Sequence, residues 1–314
     1  MNIFVSRLAA FALGWTLGAH STVIAQTGPT GASQAVVTRG GQYMGFGEGF
    51  NRYYTDPAWR PLATTYVSPN GIGDGSSPAT PAAVSTVVAA ARPGTLVIFA
   101  RGAYRGCYEL SKASSGTYEA PIVLYGERNG DGSLGVSIDC CDTGRRSCFN
   151  FEHANHVAVD GFDMSGGRYG VRAVGEGYAA SQHARGLAVL NSRARGQSHD
   201  GFFTGAVDWA VFERNVAHGA GKGDGHGIYI SNGSDWNIIR FNETFSNHSS
   251  DFQINADPDS TCKEVGIAFD DPRCDAFAGT GEGGQGASDY VLVDGNHFHH
   301  GDGPGPNFTS VRRS

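Results

Sequence analysis

The chain has 314 residues, 47 of them glycine, against an ordinary share of about 7%. Its formal net charge is −7 at pH 7, and only Lys112, Lys222 and Lys263 among its 23 Lys and Arg residues are lysines. That balance excludes a chain built around a basic nucleic-acid face, and any acidic partner must be met by a local cluster of arginines.

Residues 1–25 read as a secretory leader. Arg7 is the positive start, Leu8 to Ala19 the apolar run, and Val23-Ile24-Ala25 the small-residue pattern before a cut after Ala25. The run is shorter than the ~20 apolar residues of a membrane helix, and no later run approaches that length. The mature protein is expected to be secreted or periplasmic, monomeric and not inserted in a membrane. Residues 26–64 form an N-terminal extension and 65–314 one repetitive domain, with no cap evident at its end, as in a fragment of a longer protein. Thr80 to Arg92 reads as a short helix, with Pro81 in its first turn and Pro93-Gly94 stopping it, placed to cap a sheet edge. Thr95 to Phe99 and Pro121 to Tyr125 read as buried strands.

From residue 157 onward the chain repeats. Val157–Gly161, Leu187–Asn191, Val211–Asn215, Ile238–Asn242 and Leu292–Asn296 are apolar segments ending in Gly or Asn, at steps of 30, 24, 27 and 54. Between them run Gly170–Ala173, Gly201–Thr204, Gly227–Ile230 and Asp251–Ile254. Two strands per turn at a near-constant period predict stacked coils, an all-β solenoid in which each coil covers the apolar face of the next. Val171, Phe202, Ile228 and Phe252 form one expected inner row, and Ala173, Thr204, Ile230 and Ile254 another. Asn191, Asn215, Asn242 and Asn296 are expected to turn the corners and to bond from coil to coil. The glycosylation-like triplets at Asn232, Asn242, Asn247 and Asn307 are mostly read as corners too.

Six cysteines in an exported chain predict disulfides. Cys262 and Cys274 bracket a loop rich in Asp and Pro and are expected to pair. Cys107, Cys140, Cys141 and Cys148 leave their pairing open, and their spacing lacks a zinc knuckle.

Tyr66-Val67-Ser68-Pro69-Asn70-Gly71, the capping helix, Pro93-Gly94-Thr95-Leu96-Val97 and Gly102-Ala103-Tyr104-Arg105-Gly106 resemble the opening of secreted right-handed parallel β-helix proteins of the pectate-lyase-like superfamily. The resemblance runs from Tyr66 to about His300. It implies a right-handed parallel β-helix with a short N-terminal capping helix, but it does not choose among lyases, hydrolases, esterases, epimerases and inert stalks.

Lyases of that superfamily remove a proton beside a uronate carboxylate, which takes a base and something cationic to neutralise the carboxylate. The densest polar stretch is Lys222 to Asn232, flanked one coil either side by His199-Asp200-Gly201 and Ser250-Asp251-Phe252-Gln253. Asp200, Asp224 and Asp251 are each about one coil apart and suit Ca²⁺, although Asp beside Gly also caps ordinary turns. Tyr229 stands where calcium-dependent pectate lyases place a lysine base. With His226 three residues earlier, it resembles the Tyr–His pairs of alginate-type lyases and mannuronan epimerases. Lys222, His226 and Tyr229 are thus the acid/base candidates. Arg172, Arg193, Arg195, Arg240 and Gln253 are the substrate-binding candidates, joined by Arg168 and Arg185. Phe203, Trp209 and Trp236 either stack on sugar rings or cover corners. The expected substrate is an acidic polysaccharide cleaved by β-elimination. A C5-epimerase, a hydrolase using Asp224, Asp251 and Asp257, or a non-catalytic glycan-binding stalk are the rivals.

Overall fold

The computed structural model describes residues 21–27, 33–39 and 60–313, apart from 142–145, 178, 222–223, 257–261, 264–265, 269 and 275–285. Most of the expected leader, together with Lys222 and Asp257, lies outside the described residues. Two compact units result, Met1–Pro57 and Ala58–Ser314. The first contains an antiparallel pair, Ser21–Thr27 with Ser33–Arg39, and the expected cut after Ala25 falls within its first strand.

The second unit is a right-handed parallel β-helix. Three parallel sheets of eight, seven and seven strands run the length of the stack, and crossovers between parallel strands take the right-handed sense. Each coil gives one strand to each sheet. Coil 1 comprises Thr95–Phe99, Gly102–Arg105 and Tyr108–Ser111; coil 2, Ile122–Gly126, Val136–Cys140 and Phe149–Glu152. Coil 3 comprises Val157–Asp160, Phe162–Gly166 and Val171–Val174; coil 4, Leu187–Leu190, Arg193–Arg195 and Phe202–Gly205. Coil 5 comprises Val211–Glu213, Val216–His218 and Ile228–Ser231; coil 6, Ile238–Arg240, Glu243–Phe245 and Phe252–Asn255. Coil 7 comprises Leu292–Asp294, His297–His299 and Asn307–Phe308. Ala63–Val67 adds the outermost strand of the first sheet.

The two strand series expected from the sequence are the first and third sheets. The second sheet is a correction to the two-strand reading. Its strands in coils 4 to 7 are three residues long and bury one inward residue each at most, such as Ala194, Ala217 or Thr244, so they leave no apolar alternation to read. The double step from Asn242 to Asn296 is one coil with an excursion, clamped by the Cys262–Cys274 disulfide. A second disulfide joins Cys107 to Cys140 across coils 1 and 2, leaving Cys141 exposed and Cys148 buried as thiols. Burial pushes the Cys148 thiol up to about 12.

Both inner rows of the third sheet are in register as expected, and Val171, Phe202, Ile228 and Phe252 are fully buried. Each such ring or branched chain contributes about 1.5–3 kcal/mol by leaving water. At the N-terminal end, Phe99, Phe149 and Phe162 meet edge to face at 5.0–6.1 Å, tying coils 1, 2 and 3 together. The glycines that open the third-sheet strands are there because the stack is tight. A Cβ on Gly201 would stand 2.6 Å from the Gly227 carbonyl oxygen, and one on Gly227 2.5 Å from that of Asp251.

The capping helix is shorter than expected, Val84–Ala90, with Val84 and Val88 turned into the core. Its start is delayed because Ala82 forms a β-bridge with Val67. The corners also differ from expectation. The left-handed positions are Gly161, Asn191, Arg214, Phe241 and Gly295. Asn215, Asn242 and Asn296 occupy the next column, below Ser192, and form the buried ladder. Asn215 Nδ2 donates to Asn242 Oδ1 at 3.1 Å, and Asn242 Nδ2 to Asn296 Oδ1 at 2.9 Å. Each Oδ1 also accepts the backbone N–H of the residue one coil before, at 2.9–3.0 Å. Asn191 stands outside this ladder and bonds Asp160 instead.

Candidate functional site

Because strand residues alternate in and out, the outward face of the third sheet carries one continuous file. It runs Glu109, Asn150, Arg172, Phe203, Tyr229, Gln253 and Asn307, one residue per coil. Just before the same strands lies a second column, Tyr169, Asp200, His226 and Ser250.

At the upper end is a cavity of about 290 Å³ lined by Glu109, Arg146, Asn150, Glu152, Arg168, Tyr169 and Arg172 among others. Arg172 Nη1 donates to Asn150 Oδ1 at 2.8 Å and Glu152 Oε2 at 2.6 Å. Burial raises the Glu152 carboxyl, but Asn150 and Arg172 outweigh it and hold the group below its ordinary value. The Arg168 guanidinium lies 5.3 Å from the Tyr169 ring centre. Burial, then Asp200, pushes the Tyr169 phenol up to about 12, so it stays protonated.

Below the cavity the face becomes aromatic. Tyr169 meets Phe203 at 5.2 Å and His199 at 5.4 Å, Phe203 meets Tyr229 edge-on at 5.4 Å, and Tyr229 lies 5.0 Å from His226. Asp200 is fully buried beneath this group. One carboxylate oxygen accepts the His226 backbone N–H at 2.8 Å, and the other lies 2.9 Å from His199 Nδ1. His226 Nδ1 is 3.1 Å from the Ser250 carbonyl oxygen. A carbonyl only accepts, so it sets the tautomer with the proton on Nδ1 and leaves the lone pair on Nε2. Burial lowers the His226 pKa despite Asp200, which keeps this imidazole neutral near pH 7.

The structure brings Tyr229, Gln253, Arg172 and Arg168 to one face, with His226, 3% exposed, and Asp200 buried beneath it. Arg193 and Arg195 do not belong to it. Both lie on the second sheet, held by Asp163 at 2.7 and 3.0 Å. Arg240 lies on the first sheet, buried against Glu213 at 2.6 Å. The expected calcium triad does not converge either. The oxygens of Asp200 face the donors just described. Asp251 is buried and accepts from Asn247 Nδ2 at 2.7 Å and the Gly301 N–H at 3.1 Å, while Asp224 is exposed. Asp200 and Asp251 spend their oxygens on these donors, and the three carboxylates do not gather as a shared cation site. Trp209 stacks on Trp236, and Trp236 on Tyr290, at a corner, as covers.

Sequence reasoning missed Glu109, Arg146, Asn150, Glu152 and Tyr169. Tyr169 was findable, since it precedes Gly170 as Asp200 precedes Gly201 and His226 precedes Gly227. The others come from coils 1 and 2, or the loop between their strands, where the repeat is irregular.

Fold and site together define a right-handed parallel β-helix with a polar-to-aromatic file of outward side chains along one sheet and a cavity at its upper end. No protein-family model matches the sequence, and no curated protein matches it. Among solved structures, it is similar to an alginate lyase from Paenibacillus sp. str. FPU-7, at 12% identity over 79% of this chain and 75% of that one, with a TM-score of 0.49. It is also similar to the pectate lyase Pel9A, at 17% identity over 82% and 78%, TM-score 0.33. The A-module of the Azotobacter vinelandii mannuronan C-5 epimerase AlgE4 matches at 16% identity over 49% and 50%, TM-score 0.33.

Proposed function

We propose that the protein is an exported lyase that cleaves a uronate-containing polysaccharide by β-elimination along the third-sheet groove. The observation that supports this reading is the continuity of the outward file, from an arginine-lined cavity into Tyr229 and His226. Two disulfides suit an oxidising compartment, and among the described residues no helix is long and apolar enough to cross a membrane.

Neighbouring coils are ~4.8 Å apart, about the length of one sugar unit. Arg172 and Tyr229 are two coils apart, so Arg168 and Arg172 anchor a carboxylate about two units from the reacting one. At the reacting unit, the Gln253 amide beside Tyr229 hydrogen-bonds the carboxylate. His226 Nε2 takes the proton from the carbon next to that carboxylate. The electrons left behind form the new C=C bond as the glycosidic C–O bond breaks, and the Tyr229 hydroxyl gives its proton to the departing oxygen. Lys222, close in sequence, is the alternative base. The engagement of Asp200 and Asp251 with N–H donors speaks against a hydrolytic carboxylate pair.

The test is to incubate the purified chain with a panel of polyuronates and follow ultraviolet absorbance of unsaturated chain ends together with chain length. New unsaturated ends on at least one polymer are expected. Shortening without unsaturation, inversion of the acidic carbon without shortening, or no change on any polymer each overturns the lyase reading.

A further inference from the structure

We propose that Glu243, His297 and His299 bind a divalent transition-metal ion of the zinc class. The three side chains lie on the second sheet, apart from the groove just described, and nothing in the proposed lyase reaction uses them.

His297 and His299 are alternate residues of one strand, so both point outward. Glu243 is the direct cross-strand partner of His297 on the coil before. One ligand atom from each lies within 4.8 Å of the others. Glu243 Oε1 is 3.1 Å from His299 Nε2 and 3.8 Å from His297 Nδ1. Ligands of a tetrahedral zinc at about 2.0–2.1 Å sit roughly 3.3 Å apart. The Glu243–His299 pair already has that spacing. His297, with 71% of its side chain exposed, has room to swing in.

The site is also held in place. The His299 ring stacks on Phe245 at 5.1 Å, and Phe245 on His218 at 4.8 Å, which fixes the imidazole plane. The far nitrogen of His299, Nδ1, lies 2.6 Å from His300 Nδ1, the kind of outer contact that orients a metal-bound imidazole. Further up the same face Arg193 and Arg195 are tied to Asp163. Two imidazoles and one carboxylate with an open fourth position is a zinc-type donor set, whereas one carboxylate is too few oxygens for Ca²⁺. The bound ion would join coil 6 to coil 7.

The full chain, stripped with a chelator, is titrated with ZnCl₂ by calorimetry and with Co²⁺ by visible absorption, and its melting temperature is read with and without Zn²⁺. One ion per chain, a cobalt band of low coordination number and a higher melting temperature are expected. His297→Ala removes an exposed ligand, so it should melt like the parent in chelator yet bind Zn²⁺ about 10-fold or more weakly. The His297→Ala/His299→Ala double variant should lose the cobalt band. No uptake by the parent chain, or unchanged affinity in both variants, overturns the assignment.

Discussion

The second and third sheets present outward faces built by the same stacking rule, yet they differ in what their polar groups do. On the second sheet the charges meet partners within the face: Arg193 and Arg195 hold Asp163, and His299 meets Glu243. On the third, the anchoring carboxylate, Asp200, is buried below the face. A neutral His226 is buried beside it, and Tyr229 and a cavity with three arginines lie above. A solenoid repeats its backbone but not its chemistry. The third-sheet face also pairs Arg172 with Glu152 within the face, and differs from the second in the column of polar groups buried beneath it.

The sharpest way to break this contrast is Tyr229→Phe, which keeps the ring and deletes the hydroxyl. Turnover on the polymer found by the panel should fall about 10²-fold or more with the melting temperature nearly unchanged. Arg195→Ala on the second sheet should leave turnover within about two-fold. Equal losses from both would erase the distinction.

Next in size is Asn242→Ala. It strips the buried ladder of one acceptor and two donors and should cost about 2 kcal/mol in denaturant unfolding. Both faces should survive it, since the ladder sits at the corner between the first and second sheets. A lost site with unchanged stability would mean that the ladder positions the groove directly.

A smaller effect separates the faces by pH. His226 has a folded pKa below its ordinary value of about 6.5, so as pH falls below that value the unfolded chain takes up a proton first. Stability should therefore decline with acidification below about pH 6.5, and His226→Gln should flatten that slope in melting curves. If His226 is the base, the acid limb of kcat/KM also lies below about 6.5. A limb above it would assign the proton to another group.

The smallest effect belongs to the second sheet. Burial raises the Asp163 carboxyl, but Arg193 and Arg195 together hold it below its ordinary value. Its contribution is present above about pH 3.9 and is lost as pH falls through the lower folded value. Asp163→Asn should cost no more than about 1 kcal/mol at pH 7, because both arginine side chains are more than 40% exposed.

The first and third sheets were legible in the sequence, and the second was hidden for a physical reason. Leu187-Ala188-Val189-Leu190 and Ile228-Tyr229-Ile230 carry apolar residues in period two. Arg193-Ala194-Arg195 buries only one small residue, and reads as a charged loop. The corner column was off by one for three of its four asparagines, because the left-handed residues there are Arg214, Phe241 and Gly295, and only Asn191 is itself the corner. Tyr229 and Gln253 were legible as neighbours because both lie at the outward position of an apolar, alternating strand, Ile228–Ser231 and Phe252–Asn255. The upper cavity was not. Its Glu109, Asn150 and Arg172 are separated by 41 and 22 residues, so only the register aligns them.

The Cys107–Cys140 bond bears on how the molecule comes apart. It closes a 33-residue separation across coils 1 and 2, beside the capping helix, in the region where the first-sheet strands are buried throughout. In coil 7 the corresponding strand, Leu292–Asp294, is only half-buried at every position. A stack whose coils touch only their neighbours can open one coil at a time. Coils 1 and 2, stapled and buried throughout on the first sheet, then open less readily than coil 7.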